Sequence, residues 1–415
     1  MKSHHQVLII GGGTAGIMTA AQLKRKNPKI DIGLIEPAET HYYQPAWTLV
    51  GANTYSFDKT ARKMEGLIPA GVKWIKSHAE KFDPQNNLVT TRSGNEITYD
   101  FLVVAPGLQI DSSMVEGLPE ALGKGVVCSN YTDPRHTWKV LEKFKGGTAL
   151  FTQPTTPIKC GGAPQKIMYL AEDHFKKSGV RNTTDIVFAI PGGVIFGVKE
   201  IAKTLMEVVD RKKINVRYGR QLVKIDGKNQ IAWYKHADTA KEHGHIDVKT
   251  SKEESLEGIH FDMLHLAPPQ RSPDFVRDSP LAAEGGWMAV DINTLQHKSF
   301  KNIFGLGDVA QLPTAKTGAA IRKQVPVVVA NLLQMIKSDE ITDLSYNGYS
   351  SCPLVTGYGK MVLAEFDYDK NFTPDPKLKR MFIKDSSKEH WRLWFLKKHI
   401  LPYLYWNKML KGKDV

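Results

Sequence analysis

The sequence predicts an α/β protein with two Rossmann-like dinucleotide-binding domains followed by a C-terminal amphipathic, membrane-associating helical extension. A glycine-patterned βαβ fingerprint opens the chain. A second βα unit begins near residue 185 with its glycine turn altered, and residues 391–406 mix aromatics, leucines and lysines. A length of 415 residues allows two or three cores. The expected division is 1–112 with 290–340 for the first domain, 113–289 for a second, degenerate one, and 341–415 for the C-terminal region.

Val7-Leu8-Ile9-Ile10 reads as a buried parallel strand. Gly11, Gly13 and Gly16 follow with G-x-G-x-x-G spacing, a helix is expected over 17–26, and a second strand over 30–35 ends at Glu36. Each glycine has a task. Gly11 permits the tight turn, Gly13 admits a pyrophosphate close to the backbone, and Gly16 lets helix and sheet pack closely. The helix N-terminus offers free N–H groups to the phosphates, and Glu36 is placed to accept from a ribose hydroxyl. Residues 101–107 read as another buried strand ending at Gly107, and 302–308 as a closing strand ending at Asp308.

The second unit has a strand at 185–190, a helix at 199–211, a strand at 215–218 and a returning strand at 261–267. Its turn, Pro191-Gly192-Gly193-Val194-Ile195-Phe196-Gly197, lacks the fingerprint spacing, and Ile195 and Phe196 fill the place of a pyrophosphate. No acid follows residue 218 in the ribose position. This domain is expected to keep the fold without a nicotinamide nucleotide.

Three cysteines exclude a disulfide-built secreted fold. Cys160 and Cys352 lie in proline- and glycine-bearing loops, Pro157-Ile158-Lys159-Cys160-Gly161-Gly162-Ala163-Pro164 and Ser351-Cys352-Pro353-Leu354-Val355-Thr356-Gly357-Tyr358. Cys128 reads as a buried small residue. The net charge of +13 fits nucleic acid, acidic lipid or an anionic substrate without choosing among them. No apolar run of about 18 residues is present. With a first strand expected by Val7, no signal or transit peptide is expected. The histidines, including His243-Gly244-His245 and the His260/His265 pair, lack metal-ligand spacing, so no metal site is expected.

On these residues the chain resembles the sulfide:quinone oxidoreductases, in their mitochondrial-type (type II) branch. The most specific segments are 41–51 (HYYQPAWTLVG), the Cys160 loop running on through 165–170 (QKIMYL), the Cys352 loop, 363–368 (LAEFDY) and 402–407 (PYLYWN). Residues 318–326 depart from that branch's small-residue helix. The resemblance implies FAD as cofactor, with Ala15, Gly16, Glu36 and Gln44 contacting it. Gly11, Gly13, Ala79, Gly107, Asp308 and Lys316 complete the expected cofactor-binding set. It also implies Cys160 as the flavin-facing sulfur and Cys352 as the one that sulfide attacks.

Hydrosulfide is expected to open a Cys160–Cys352 disulfide, or a bridge between them holding an extra sulfur, by thiol–disulfide exchange, which requires a depressed thiol pKa. Lys159 and Lys316 are the candidate positive charges. The expected electron acceptor is ubiquinone or menaquinone, and the expected sulfur acceptor glutathione, sulfite or sulfide. Residues 391–406 have the composition of an interfacial anchor, and Phe366 and Tyr358 are candidates to line a quinone slot. Removal of the chain after about Ser387 is therefore expected to free the protein from membranes and weaken quinone reduction while sulfide still reduces the flavin. The expected location is peripheral, on a bacterial inner membrane. A type II NADH:quinone dehydrogenase shares the fold but leaves the altered second turn and the two cysteines unexplained. A non-enzymatic nucleic-acid-binding flavoprotein leaves the cysteines unexplained too, so no nucleic-acid partner is expected.

Overall fold

The structure, a computed structural model, describes residues 2–237, 242–243, 249–253 and 255–414; Gly244 and His245 lie outside the described residues. The opening strand, Lys2–Ile10, begins earlier than its apolar run because Lys2 to His5 pair with Glu96 to Tyr99 and extend the ladder ahead of Val7. Helix α1 spans Thr14–Lys26, so the helix begins at the glycine turn itself. Ile32–Ile35 returns beside the first strand, with Val7 opposite Ile32.

The first sheet has seven strands. Val72–Ile75, Ile32–Ile35, Lys2–Ile10 and Glu96–Val104 lie parallel, and Ile303–Gly305 joins the same parallel set from far along the chain. Leu88–Thr91 and Ala79–Asp83 add an antiparallel edge. Gly11 turns at φ +99°, and a Cβ there would sit 2.5 Å from the carbonyl oxygen of Ala105. Only glycine serves at that point.

The second sheet takes six strands from 127–243 and 263–266. Val127–Cys128, Met263–Leu266, Gly147–Thr152, Thr184–Ile190 and Asn215–Tyr218 are parallel, and Glu242–His243 is antiparallel. Helix α2 (Ala163–Lys177) and helix α3 (Lys199–Lys212) connect its strands. Ile195 of the altered turn is buried in this core, and its carbonyl accepts from Gln165 Nε2 at 2.7 Å. A four-stranded antiparallel sheet covers Arg220–His260.

Helix α4 (Gly318–Ser338) returns against α1. A two-stranded hairpin, Ser350–Gly357 with Lys360–Phe366, follows. The C-terminal helix runs from Trp391 through a π turn at Leu396–Ile400 to Asn407. It is not a detachable anchor. Tyr405, Trp406, Met409 and Leu410 are buried in the same core as Val7, Ile17 and Val325. The expectation that the chain could be cut after Ser387 without harm to the flavin site is therefore corrected: that cut removes core side chains. The opposite face of the helix is different, with Trp391, Phe395 and Tyr403 exposed.

Candidate active site

Two separate elements bring the sulfurs together. Cys160 lies in the loop before α2, two residues ahead of Gly162, the N-cap, and adopts φ +54°, a conformation that costs a non-glycine residue on the order of 1–2 kcal/mol. Three hydrogen bonds hold it there. Cys160 N–H donates to Lys316 O at 2.8 Å, Ala163 N–H donates to Cys160 O at 2.8 Å, and the Tyr131 hydroxyl donates to the same oxygen at 3.3 Å. Cys352 lies on the hairpin opposite Ala364 and is buried. The two Sγ atoms are 3.6 Å apart, and both are free thiols.

The pair is electrostatically unequal. The Cys352 thiol donates to Cys160, and the Lys166 ammonium donates to the same sulfur at 2.9 Å. Together these outweigh burial and hold Cys160 well below the ordinary thiol range. Having given its hydrogen to Cys160, and being buried, Cys352 is pushed well above that range. Lys166 is itself buried and stays charged because the sulfurs face it. Lys397 is also buried; burial and the neighbouring Lys166 bring its ammonium down to about 7.

Cys160 opens on a cavity of about 1170 Å³. Its walls run from Gly12, Gly13 and Glu36 past Cys160 and Lys166 to Leu396, Lys397 and Leu404. Of the residues expected in the site, Gly13, Ala15, Glu36, Gln44, Gly107, Asp308, Lys316 and Cys160 line this cavity. Gly11 and Gly16 lie behind the lining, in the turn that supports it. Cys352 sits behind Cys160, not on the cavity wall. Ala79 does not reach the cavity; it belongs to the antiparallel edge and packs with Phe82 and Val89. Phe366 packs against Phe196, and the Tyr358 hydroxyl donates to Ala52 O, so neither expected slot residue is on the wall.

The expected positive charges also act elsewhere. Lys316 Nζ donates to the carbonyls of Asp308 and Ala310 at 2.6 and 3.1 Å, and burial brings it down to about 8. Lys159 reaches Gln44 Oε1. The charge on the sulfur comes instead from Lys166, in the first turn of α2. Its signal was a lysine at the start of an apolar helical run, Ile167 to Ala171. Lys397, within the expected interfacial segment, turns inward and donates to Pro45 O at 3.1 Å. Cys128 is buried in the second sheet, away from the cavity wall, with its thiol pushed up to about 12 by burial.

The cavity suits a long, anionic, partly aromatic ligand. A Cβ on Gly13 or Gly318 would meet no described protein atom within 4 Å, which leaves bare backbone facing the space at the N-termini of α1 and α4. Asn130 lines the cavity with both amide atoms buried and without a partner among the described residues.

The pyridine nucleotide-disulphide oxidoreductase family model matches residues 5–143. The mitochondrial sulfide:quinone oxidoreductase of Mus musculus is 41% identical over 99% of this chain and 87% of its own. The chain belongs to the sulfide:quinone oxidoreductases. The mitochondrial sulfide:quinone oxidoreductase of Dictyostelium discoideum is 39% identical, covering 100% of this chain and 87% of its own. The solved sulfide:quinone oxidoreductase of Aquifex aeolicus superposes with a TM-score of 0.79 over 99% of this chain and 92% of that one; at 20% identity it speaks for the fold alone. Among the described residues of this sulfide:quinone oxidoreductase family member, no helix is long and apolar enough to cross a membrane.

Proposed function

We propose that the chain oxidises hydrogen sulfide to sulfane sulfur at Cys160 and Cys352, with FAD as the cofactor through which the electrons would leave to ubiquinone or menaquinone. The observation that carries this reading is the 3.6 Å approach of two thiols distant in sequence, one of them on the wall of a dinucleotide-sized cavity. The cavity-lining members of the expected set bind the cofactor: Gly13 and Ala15 at its phosphates, Glu36 at its ribose, and Gln44, Gly107, Asp308 and Lys316 along its length.

In the bridged form of the pair, hydrosulfide attacks Cys352. A new S–S bond forms there, the Cys160–Cys352 bond breaks, and Cys160 leaves as a thiolate that Lys166 stabilises. A sulfur acceptor (glutathione, sulfite or a second sulfide) takes the outer sulfur from Cys352. The two thiols then re-form their bridge and surrender two electrons. The bound flavin supplies the two-electron carrier between that bridge and the quinone. The net change is HS⁻ + RS⁻ + Q + H⁺ → RSS⁻ + QH₂ for a thiol acceptor.

The quinone reaches the cavity between the hairpin and the C-terminal helix, where Leu396, Ile400, Leu401 and Leu404 form an apolar wall. The surface beside it supports membrane seating: Phe382 is 80% exposed and Trp391 62%, with Arg380 and Arg392 adjacent in sequence or contact. On this reading the protein is peripheral, on the bacterial inner membrane. The domain division remains 1–112 with 290–340, 113–289 and 341–415.

Anaerobic titration tests the reading. Sulfide should bleach the flavin and decylubiquinone restore it, while Cys160→Ser and Cys352→Ser each abolish the bleaching. Rapid bleaching by NADH with none by sulfide would sink it.

A further inference from the structure

We infer that Tyr405, on the C-terminal helix, is a positioning residue for the phosphate-binding turn of the cofactor site, so that the segment beside the membrane also sets flavin retention. The inference rests on the flavin reading above.

The Tyr405 hydroxyl lies 2.5 Å from His41 Nε2 and 2.7 Å from Thr14 Oγ1. His41 Nδ1 lies 3.2 Å from the carbonyl oxygen of Gly12. Both rings are buried. The carbonyl at one end and the burial of the imidazole set the direction of every proton. A carbonyl only accepts, so Nδ1 carries the hydrogen and donates to Gly12 O. Burial lowers the His41 pKa, so the ring is neutral and Nε2 is a bare acceptor. Tyr405 therefore spends its single proton on His41, and its oxygen accepts from the Thr14 hydroxyl.

The chain of donors has a consequence at the glycine turn. Gly12 is held at both ends, its carbonyl by His41 and its N–H by Glu36 Oε2 at 2.6 Å. Thr14 is the first residue of α1, whose N-cap, Gly13, provides no side-chain cap. With its hydroxyl proton given to Tyr405, Thr14 leaves the backbone N–H groups of the first turn as the donors for an anion. Gly12, Gly13, Thr14, His41 and Tyr405 all line the cavity. Tyr405 is held for this task by Tyr43, whose ring centroid is 4.6 Å away, and by Trp406 at 5.0 Å.

The test uses the full-length holoprotein. Tyr405→Phe keeps the ring packing and removes the hydroxyl; Thr14→Val removes the other end of the same bond. FAD release on dilution is followed by its fluorescence, and hydrogen exchange is followed at the amides of residues 12–16. Both variants should release FAD about tenfold faster than the parent, the size expected of one buried hydrogen bond, with faster exchange confined to that turn. A merely structural role would lower thermal stability and leave release unchanged. Release within about twofold of the parent in whichever variant folds overturns the inference. A parent protein that carries and takes up no flavin overturns the flavin reading and this inference with it.

Discussion

A methyl group at position 162 would sit 2.7 Å from Cys352 Sγ and also strike Leu354. Gly162 is thus the spacer that lets the two sulfurs meet, and Gly162→Ala must push the hairpin away. Overpacking of this kind costs about 1–3 kcal/mol, and the thiols cannot bridge at a larger separation. Sulfide-driven flavin reduction in stopped flow should fall about tenfold or more, with flavin content unchanged. Lys166→Met tests the charge. It removes the ammonium at 2.9 Å that helps hold Cys160 low, so the thiolate forms only at higher pH. The midpoint of iodoacetamide labelling of reduced Cys160 should rise by about one pH unit or more. At this scale Cys160 was legible, because glycines and prolines around a rare residue advertise a shaped loop; the same signal singled out Cys352, but that residue lies in a strand of the hairpin, not in the expected loop. Lys166 was not, because its approach to Cys160 depends on a left-handed turn that no spacing rule encodes. Lys159 is adjacent in sequence, but the same turn sends it to Gln44.

The C-terminal helix shows what an element hides when read by composition. Its lysines and aromatics are those of an interfacial segment, but every turn divides them between two environments. Tyr405 and Trp406 join the first core, Lys397 turns inward to the Pro45 carbonyl, and Trp391, Phe395 and Tyr403 face outward. Composition cannot assign faces where a π turn shifts the register at Leu396–Ile400. The two faces are separable by mutation. Truncation after Ser387 removes Tyr405, Trp406, Met409 and Leu410 from the core, and large-to-small losses of such residues cost about 2–5 kcal/mol each. The truncated chain should be recovered without flavin or not at all. Replacing only the outward residues Phe382, Trp391, Phe395 and Tyr403 with serine should leave sulfide bleaching of the flavin intact. The same variant should lose sedimentation with anionic vesicles. Vesicle binding equal to the parent would move the membrane face elsewhere.

At the scale of the whole molecule, two similar sheets have been given different work. The first was legible almost entirely: strand, glycines, helix and acid in order determine both the turn and what faces it. Its antiparallel edge at 79–91 was not, since short half-exposed strands carry little periodic signal. The second sheet was legible as a fold, and its altered turn carries a functional consequence. Ile195 is packed into the core, and its carbonyl is tied to Gln165 on α2, the helix that begins at the Cys160 loop. The place where a pyridine nucleotide's phosphates would approach a Rossmann sheet is thus used to brace the redox helix. Restoring a nucleotide site there would require pulling Ile195 out of a packed interior and breaking that brace. NADH and NADPH should therefore fail to bleach the flavin at concentrations where sulfide bleaches it within the mixing time of the experiment. Rapid bleaching by either nucleotide would mean that the second sheet still delivers hydride, and that the thiol pair is not the sole entry for electrons.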